Sequence, residues 1–158
     1  MKKLFLFSLF LVFACGTKEV KKEVEKSEKA VTNYVDLKNN PVDLSLYKGK
    51  KILVNYWATW CTPCIKEMPD LLKAQEILKE HNYVFLLASD EDFIKITEFK
   101  KKKNYNFTFL KYTKSLSTLG IYALPTTVVF DVNGKKVETI VGSVKWDSEE
   151  MIQKLKAL

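Results

Sequence analysis

Two spacings of apolar residues run along this chain, one of strands and one of helices. Lys51 to Trp57 and Tyr83 to Ala88 are near-continuous apolar runs, the pattern of strands buried on both faces. Between them, Thr62 to Glu80 carries Ile65, Met68, Leu71, Leu72, Ile77 and Leu78 at helical intervals. Pro69 falls inside this helix and predicts a kink rather than an end. Ser89 or Asp90 is placed to cap a second helix, Glu91 to Lys103, with Phe93, Ile94, Ile96 and Phe99 as its apolar members. Asn106 to Leu110 reads as a short strand and Lys114 to Gly120 as a short helix. Thr126 to Val132 and Lys135 to Val141 form a hairpin around Asn133-Gly134. Asp147 is placed to cap a last helix, Ser148 to Ala157. Upstream, Tyr34 to Leu37 and Val42 to Leu44 flank a turn at 38–41.

The pattern changes before Asn33. Met1-Lys2-Lys3 is a short basic start, and Leu4 to Phe13 is an apolar stretch of signal-peptide length, too short for a stable span. It ends in Ala14-Cys15, a small residue directly before a cysteine, which predicts lipoprotein cleavage and lipidation of Cys15. Residues 16–32 are built largely of Lys, Glu and Val, lack aromatic residues, and cannot bury a core. The expected organisation is a lipoprotein signal peptide over 1–14, a lipid-anchored flexible tether over 15–32 and one domain over 33–158. Its predicted place is the cell envelope, with the domain on the extracytoplasmic side of a membrane.

The chain has 158 residues, of which 47% are apolar, enough for one cored domain. Its net charge of +7 comes from 26 basic residues, every one a lysine. These lysines are spread over most segments, so they read as a solvated surface rather than a binding patch. Without arginine, and without an aromatic-plus-basic module, nucleic-acid binding is not expected. The chain has no glycine-rich phosphate loop, no serine nucleophile with a partner histidine and no metal-ligand cluster, so neither cofactor nor metal is expected.

Candidate chemistry sits at the first strand-to-helix junction, Trp57-Ala58-Thr59-Trp60-Cys61-Thr62-Pro63-Cys64. A cysteine at a helix N-terminus faces unpaired N–H groups and the positive end of the dipole, which favours thiolate. Cys64 lies one turn further in, within reach of a small disulfide ring. Pro63 is tolerated because the first turn needs no donor there. Cys61 is thus the candidate exposed nucleophile and Cys64 the resolving thiol. The competing explanations are half of a zinc site or two ordinary buried cysteines. Zinc would need two further ligands, and the chain offers only His81 and Cys15. Strand alternation places Trp57 under this junction and Trp60 at its rim, as docking surface or as shielding.

Together, Asn55-Tyr56-Trp57-Ala58-Thr59-Trp60-Cys61-Thr62-Pro63-Cys64-Ile65-Lys66-Glu67-Met68-Pro69 and the block Tyr122 to Asp131 resemble the thioredoxin-like proteins. Within them the chain is similar to the membrane-tethered TlpA/ResA-type thiol–disulfide oxidoreductases. The resemblance covers Tyr34 to the C-terminus. It implies an α/β thioredoxin-like fold, a central mixed sheet flanked by helices, with an N-terminal hairpin and an inserted strand–helix unit. It also implies a cis bond before Pro125, which would face the cysteines and, with Leu124, align a substrate strand. Glu67 matches an acidic residue linked to tuning the pair, whereas Asn55 stands where thioredoxin carries a buried Asp.

The substrate-docking set is then Trp60, Thr62, Pro63, Leu124 and Pro125, and the catalytic set Cys61, Cys64, Glu67 and Pro125. The implied activity is a protein-disulfide reductase serving exported proteins, as in cytochrome c maturation or upkeep of envelope thiols. Its partners would be exported protein thiols and disulfides and a membrane thiol donor, and the protein itself a monomer. Two alternatives stand beside it. One is a Cu(I)-binding chaperone module, since soft thiolates suit Cu(I). The other is a peroxiredoxin-like peroxide reductase, although Ala58 occupies the position where that family carries Thr.

Overall fold

The computed structural model describes residues 32–158; the predicted leader, tether and Cys15 lie outside them. Six strands form one mixed sheet, β1 (Tyr34–Asp36), β2 (Lys51–Tyr56), β3 (Tyr83–Ser89), β4 (Thr108–Tyr112), β5 (Thr126–Phe130) and β6 (Lys136–Val141), in the order β1-β4-β3-β2-β5-β6. The pairs β2–β3 and β3–β4 are parallel, and β1–β4, β2–β5 and β5–β6 are antiparallel. Three α-helices connect or follow them: α1 (Thr62–Leu78), α2 (Phe93–Lys103) and α3 (Glu149–Ala157).

Both parallel crossovers step the same way across the sheet, from β2 to β3 and from β3 to β4. Such connections are right-handed almost without exception, so α1 and α2 must lie on one face. The packing agrees. Leu53, Trp57, Phe85, Leu87, Phe109 and Val129 point into one core with Met68 and Leu71 of α1, Ile96 and Phe99 of α2, and Ile152 and Leu155 of α3. Trp57 is fully buried there, its ring centroid 4.6 Å from that of Phe99 and 5.5 Å from that of Phe109. Alternate strand residues Ile52, Val54, Tyr56, Leu86, Leu110 and Val128 point to the other face. Among the described residues, that face is covered by the 3-10 turns Leu44–Tyr47 and Leu116–Leu119 and by partly buried neighbours such as Val42.

Several boundaries differ from the sequence expectation, each for a local reason. The return strand at Val42–Leu44 is reduced to one bridge, Val35 to Pro41, because Asp43 caps the turn at Ser45 and pulls the chain off the sheet. The expected hairpin is therefore present only in minimal form, and β1 finds its partner in β4. β4 begins two residues later than expected. Pro69 neither ends nor splits α1, which continues as one helix to Leu78. The β5–β6 connection is a loop stapled by Asp131, whose carboxylate accepts from the N–H groups of Asn133 and Lys135, with Gly134 at φ 79°. Asp92, rather than Ser89 or Asp90, stands at the α2 N-cap, and its side chain makes no cap bond. Ser148, rather than Asp147, caps α3 by accepting from Met151 N–H at 3.3 Å.

Candidate active site

β2 delivers the chain to the site. Its register is fixed on one side by β3 and on the other by β5, with Tyr56 opposite Thr126. Trp57 N–H then donates to Ala88 at 3.0 Å, and the turn closes with Cys61 N–H on the Ala58 carbonyl at 3.1 Å. Cys61 is the N-cap of α1, in extended backbone, and its Sγ accepts from Cys64 N–H at 3.3 Å. The two cysteines are joined as a disulfide with Cα atoms 5.3 Å apart. Pro63 occupies the first turn, where no donor is required.

Cys61 is 3% exposed and Cys64 fully buried, so the sulfur expected at the surface is nearly covered in the oxidised pair. The indole of Trp60 beside it is 71% exposed, and Thr62 and Pro63 are exposed as well. The antiparallel β2–β5 register places Pro125 alongside the C-terminal end of β2, from which the cysteine turn departs. The Leu124–Pro125 bond is cis, as the resemblance implies. Pro125 is buried, its carbonyl accepts from Gly142 N–H at 2.8 Å, and Leu124 packs against the core that contains both cysteines.

Glu67, a member of the expected catalytic set, is buried and hydrogen-bonded rather than solvated. One turn beyond Cys64, it is only 2% exposed. Asn55 Nδ2 donates to its Oε1 at 2.9 Å, and Val144 N–H to its Oε2 at 3.3 Å. The same Asn55 amide nitrogen donates to Thr127 Oγ1 at 2.9 Å, tying β2, β5 and α1 together. The Trp146 indole N–H lies near the carboxylate but outside hydrogen-bond geometry. Burial pushes the Glu67 carboxyl above its ordinary range, against the opposing pull of Trp146, Asn55, Val144 and Ser143. A solvated helix carboxylate would show none of this. The sequence signals Asn55 and Glu67 but not Thr127, Val144 or Trp146, which only the sheet register and the β6–α3 loop bring to them.

His81 is exposed at the end of a 3-10 turn that follows α1. It thus lies at the opposite end of a 17-residue helix from Cys61, about 25 Å away along the axis. Among the described residues no cluster of three or more His, Cys, Asp and Glu side chains is arranged to hold a metal.

The sequence model of the Redoxin family matches residues 21–156. The chain belongs to the Redoxin family. Within it the chain is 34% identical over 145 residues to the thiol-disulfide oxidoreductase ResA of Bacillus thuringiensis subsp. konkukian, covering 88% of this chain and 82% of that protein. It is 31% identical to the exposed lipoprotein thioredoxin of Streptococcus pneumoniae, with a TM-score of 0.61 over 78% of this chain and 96% of that one. A DsbE-like thiol:disulfide interchange protein of Chlorobium tepidum shares the fold at a TM-score of 0.70, over 78% and 90% of the two chains, at 24% identity. This redoxin is a thiol–disulfide oxidoreductase with a thioredoxin-like fold.

Proposed function

We propose that this protein is a reductant of disulfides in exported proteins, held at a membrane by a lipid on Cys15. The observation that carries the direction of the chemistry is the buried Glu67 carboxyl one turn from Cys64. In the reduced state, Cys61 thiolate attacks one sulfur of a substrate disulfide. One substrate sulfur leaves as thiolate, and a mixed disulfide forms. Cys64, deprotonated, then attacks Cys61 Sγ, releasing the second substrate thiolate and leaving the Cys61–Cys64 disulfide. Two electrons pass to the substrate, and two protons restore its thiols.

The proton on Cys64 needs an acceptor at the second step. Glu67 is the nearest candidate along α1, and burial has already raised its proton affinity. A negative Glu67 disfavours a neighbouring thiolate, which stabilises the thiol forms less than the disulfide and favours electron donation. Thr62-Pro63 supplies no histidine to stabilise the Cys61 thiolate, which argues in the same direction. Trp60, Thr62 and Pro63 on one side and Leu124 and Pro125 on the other would flank the incoming strand.

The lipid anchor is supported by the Ala14-Cys15 junction and by the lipoprotein relative from Streptococcus pneumoniae. Exported cytochrome precursors with reduced cysteine pairs, supplied with electrons by a membrane thiol donor, fit this placement. The deciding experiment is a trap. Cys64→Ala chain, expressed in its native envelope, should accumulate mixed disulfides through Cys61 with exported cysteine proteins, and Cys61→Ala chain should not. Reduction potentials complete the test. A value near the roughly −270 mV of thioredoxin supports a reductant, and one near the roughly −120 mV of a dedicated oxidant removes that direction.

A further inference from the structure

The end of β3 carries three consecutive acids, Asp90-Glu91-Asp92, of which only Asp92 stands at the helix N-cap. The other two reach in different directions. Glu91 has a side chain only 8% exposed, and its carboxylate accepts from both the backbone N–H and, at 2.9 Å, the hydroxyl of Thr59. Asp90 accepts from the backbone N–H of Leu116 at 3.1 Å. Thr59 lies two residues before Cys61, beside Phe99 of α2 and so on the helical face of the sheet. Leu116 belongs to the opposite core and opens the turn that runs into Ile121 to Pro125. The two neighbouring acids just past the strand end therefore hold segments on opposite faces of the sheet.

We propose that Asp90 and Glu91 are positioning residues that fix the cysteine turn and the proline segment relative to each other. Their own loop is anchored three ways. Lys111 Nζ of β4 donates to the Glu91 carbonyl at 2.7 Å and lies over the Phe93 ring, and Ser89 Oγ accepts from Glu91 N–H at 3.2 Å. The acids thus sit just past the end of a central strand, and each holds one of the two connections that must meet a substrate. The Glu91 bonds are charge-assisted and largely desolvated, which makes them stronger than surface contacts. Lys95, whose side chain is 60% exposed and 3.7 Å away, neutralises little of that charge. The consequence concerns large substrates. A small disulfide needs only the sulfur of Cys61. A protein disulfide must lie across both segments at once, and misplacement of one by about 1 Å costs up to about 100-fold in rate.

This inference rests on the reading of Cys61 as the attacking atom, and the test separates the two. The full chain is reduced beforehand, and single-turnover rate constants are measured with insulin and with oxidised glutathione, alongside thermal melts. A wild-type chain that reduces neither probe removes the reading of Cys61 itself. With wild-type activity present, Glu91→Ala should lower the insulin rate constant about tenfold and the glutathione rate constant less than about twofold. Glu91→Gln should restore the insulin rate to within about twofold, because its Oε1 can accept from Thr59 N–H while its amide donates to the Thr59 hydroxyl. Asp90→Ala should show the same split, and Asp90→Asn should recover. Should Glu91→Ala fail to fold, Thr59→Val serves instead, removing one of the two bonds with an insulin-selective loss. An unchanged insulin rate in Glu91→Ala, an equal loss on both probes, or a Glu91→Gln as slow as Glu91→Ala overturns the proposal. So does an unaffected Thr59→Val.

Discussion

Glu67 illustrates what one buried side chain does to the rest of the site. Its folded-state pKa is raised, so the folded chain holds a proton more tightly than the unfolded one. Stability contributed this way is fully present below the unfolded value and is lost as pH rises through the folded one. Wild-type stability should therefore fall relative to Glu67→Gln as pH is taken from about 4 to neutrality. Melting temperatures across that range measure it, and a constant difference between the two chains would return Glu67 to an ordinary carboxylate. The same substitution should lower the pKa of the Cys61 thiol in the reduced chain, read by alkylation rate against pH. Asn55 is legible in sequence as the residue standing where thioredoxin has an acid. Its bond to Glu67 is not, because it depends on how β2 and α1 are laid together. Nor is the low exposure of Cys61 legible, since the residues that cover it come from the packed turn and core.

Among the elements, α3 shows how close a sequence expectation can come and still name the wrong atom. Asp147 and Ser148 are both good capping residues, and only the backbone geometry decides between them. Ser148 takes the cap, and Glu149 and Glu150 in the first turn, with Lys154 and Lys156 in the last, complement the dipole. Ser148→Ala should cost about 1 kcal/mol, measured by denaturant unfolding. Asp147 is instead drawn into ion pairs, 2.8 Å from Lys73 of α1 and 2.8 Å from Lys145. Lys145 and Lys73 hold its carboxyl down to about 2, well below the usual 3.8. A depressed carboxyl supports folding above its unfolded value and loses that support as pH falls through the folded one. Acid unfolding of Asp147→Asn should accordingly be less steep between about pH 4 and 2, and less salt-sensitive, than that of the wild type. The apolar runs of β2 and β3 and the spacing along α1 are strong enough to be read directly. The β4 boundary and the return after β1 are set by partners distant in sequence, and for that reason they shift.

Across the whole molecule, the two faces of the sheet are unequal. Among the described residues, the three α-helices join one core, while the other face rests under two 3-10 turns and a pair of tyrosines. Tyr34 and Tyr56 share a buried hydroxyl hydrogen bond of 2.6 Å there. Tyr56→Phe leaves the Tyr34 hydroxyl without that partner and should cost about 1–3 kcal/mol. Amide exchange should also be graded, slowest in β2 and β3 and fastest at Leu44–Tyr47 and Leu116–Leu119. Equal protection on both faces would contradict this picture. For α1 and α2 the one-sided arrangement follows from two crossovers in a single direction, which the strand order alone requires once it is known.

The antiparallel docking of β5 on β2 also sets an order of events. Cys61 and Cys64 leave the ribosome long before Pro125 does, and the strand that follows the proline and docks it beside them is the fifth of six among the described residues. Contacts of such sequence separation form late, because a large loop must close first. The growing polypeptide therefore carries a competent thiol pair without the wall that selects what may approach it. In that interval its sulfurs are open to pairing with whatever lies beside them.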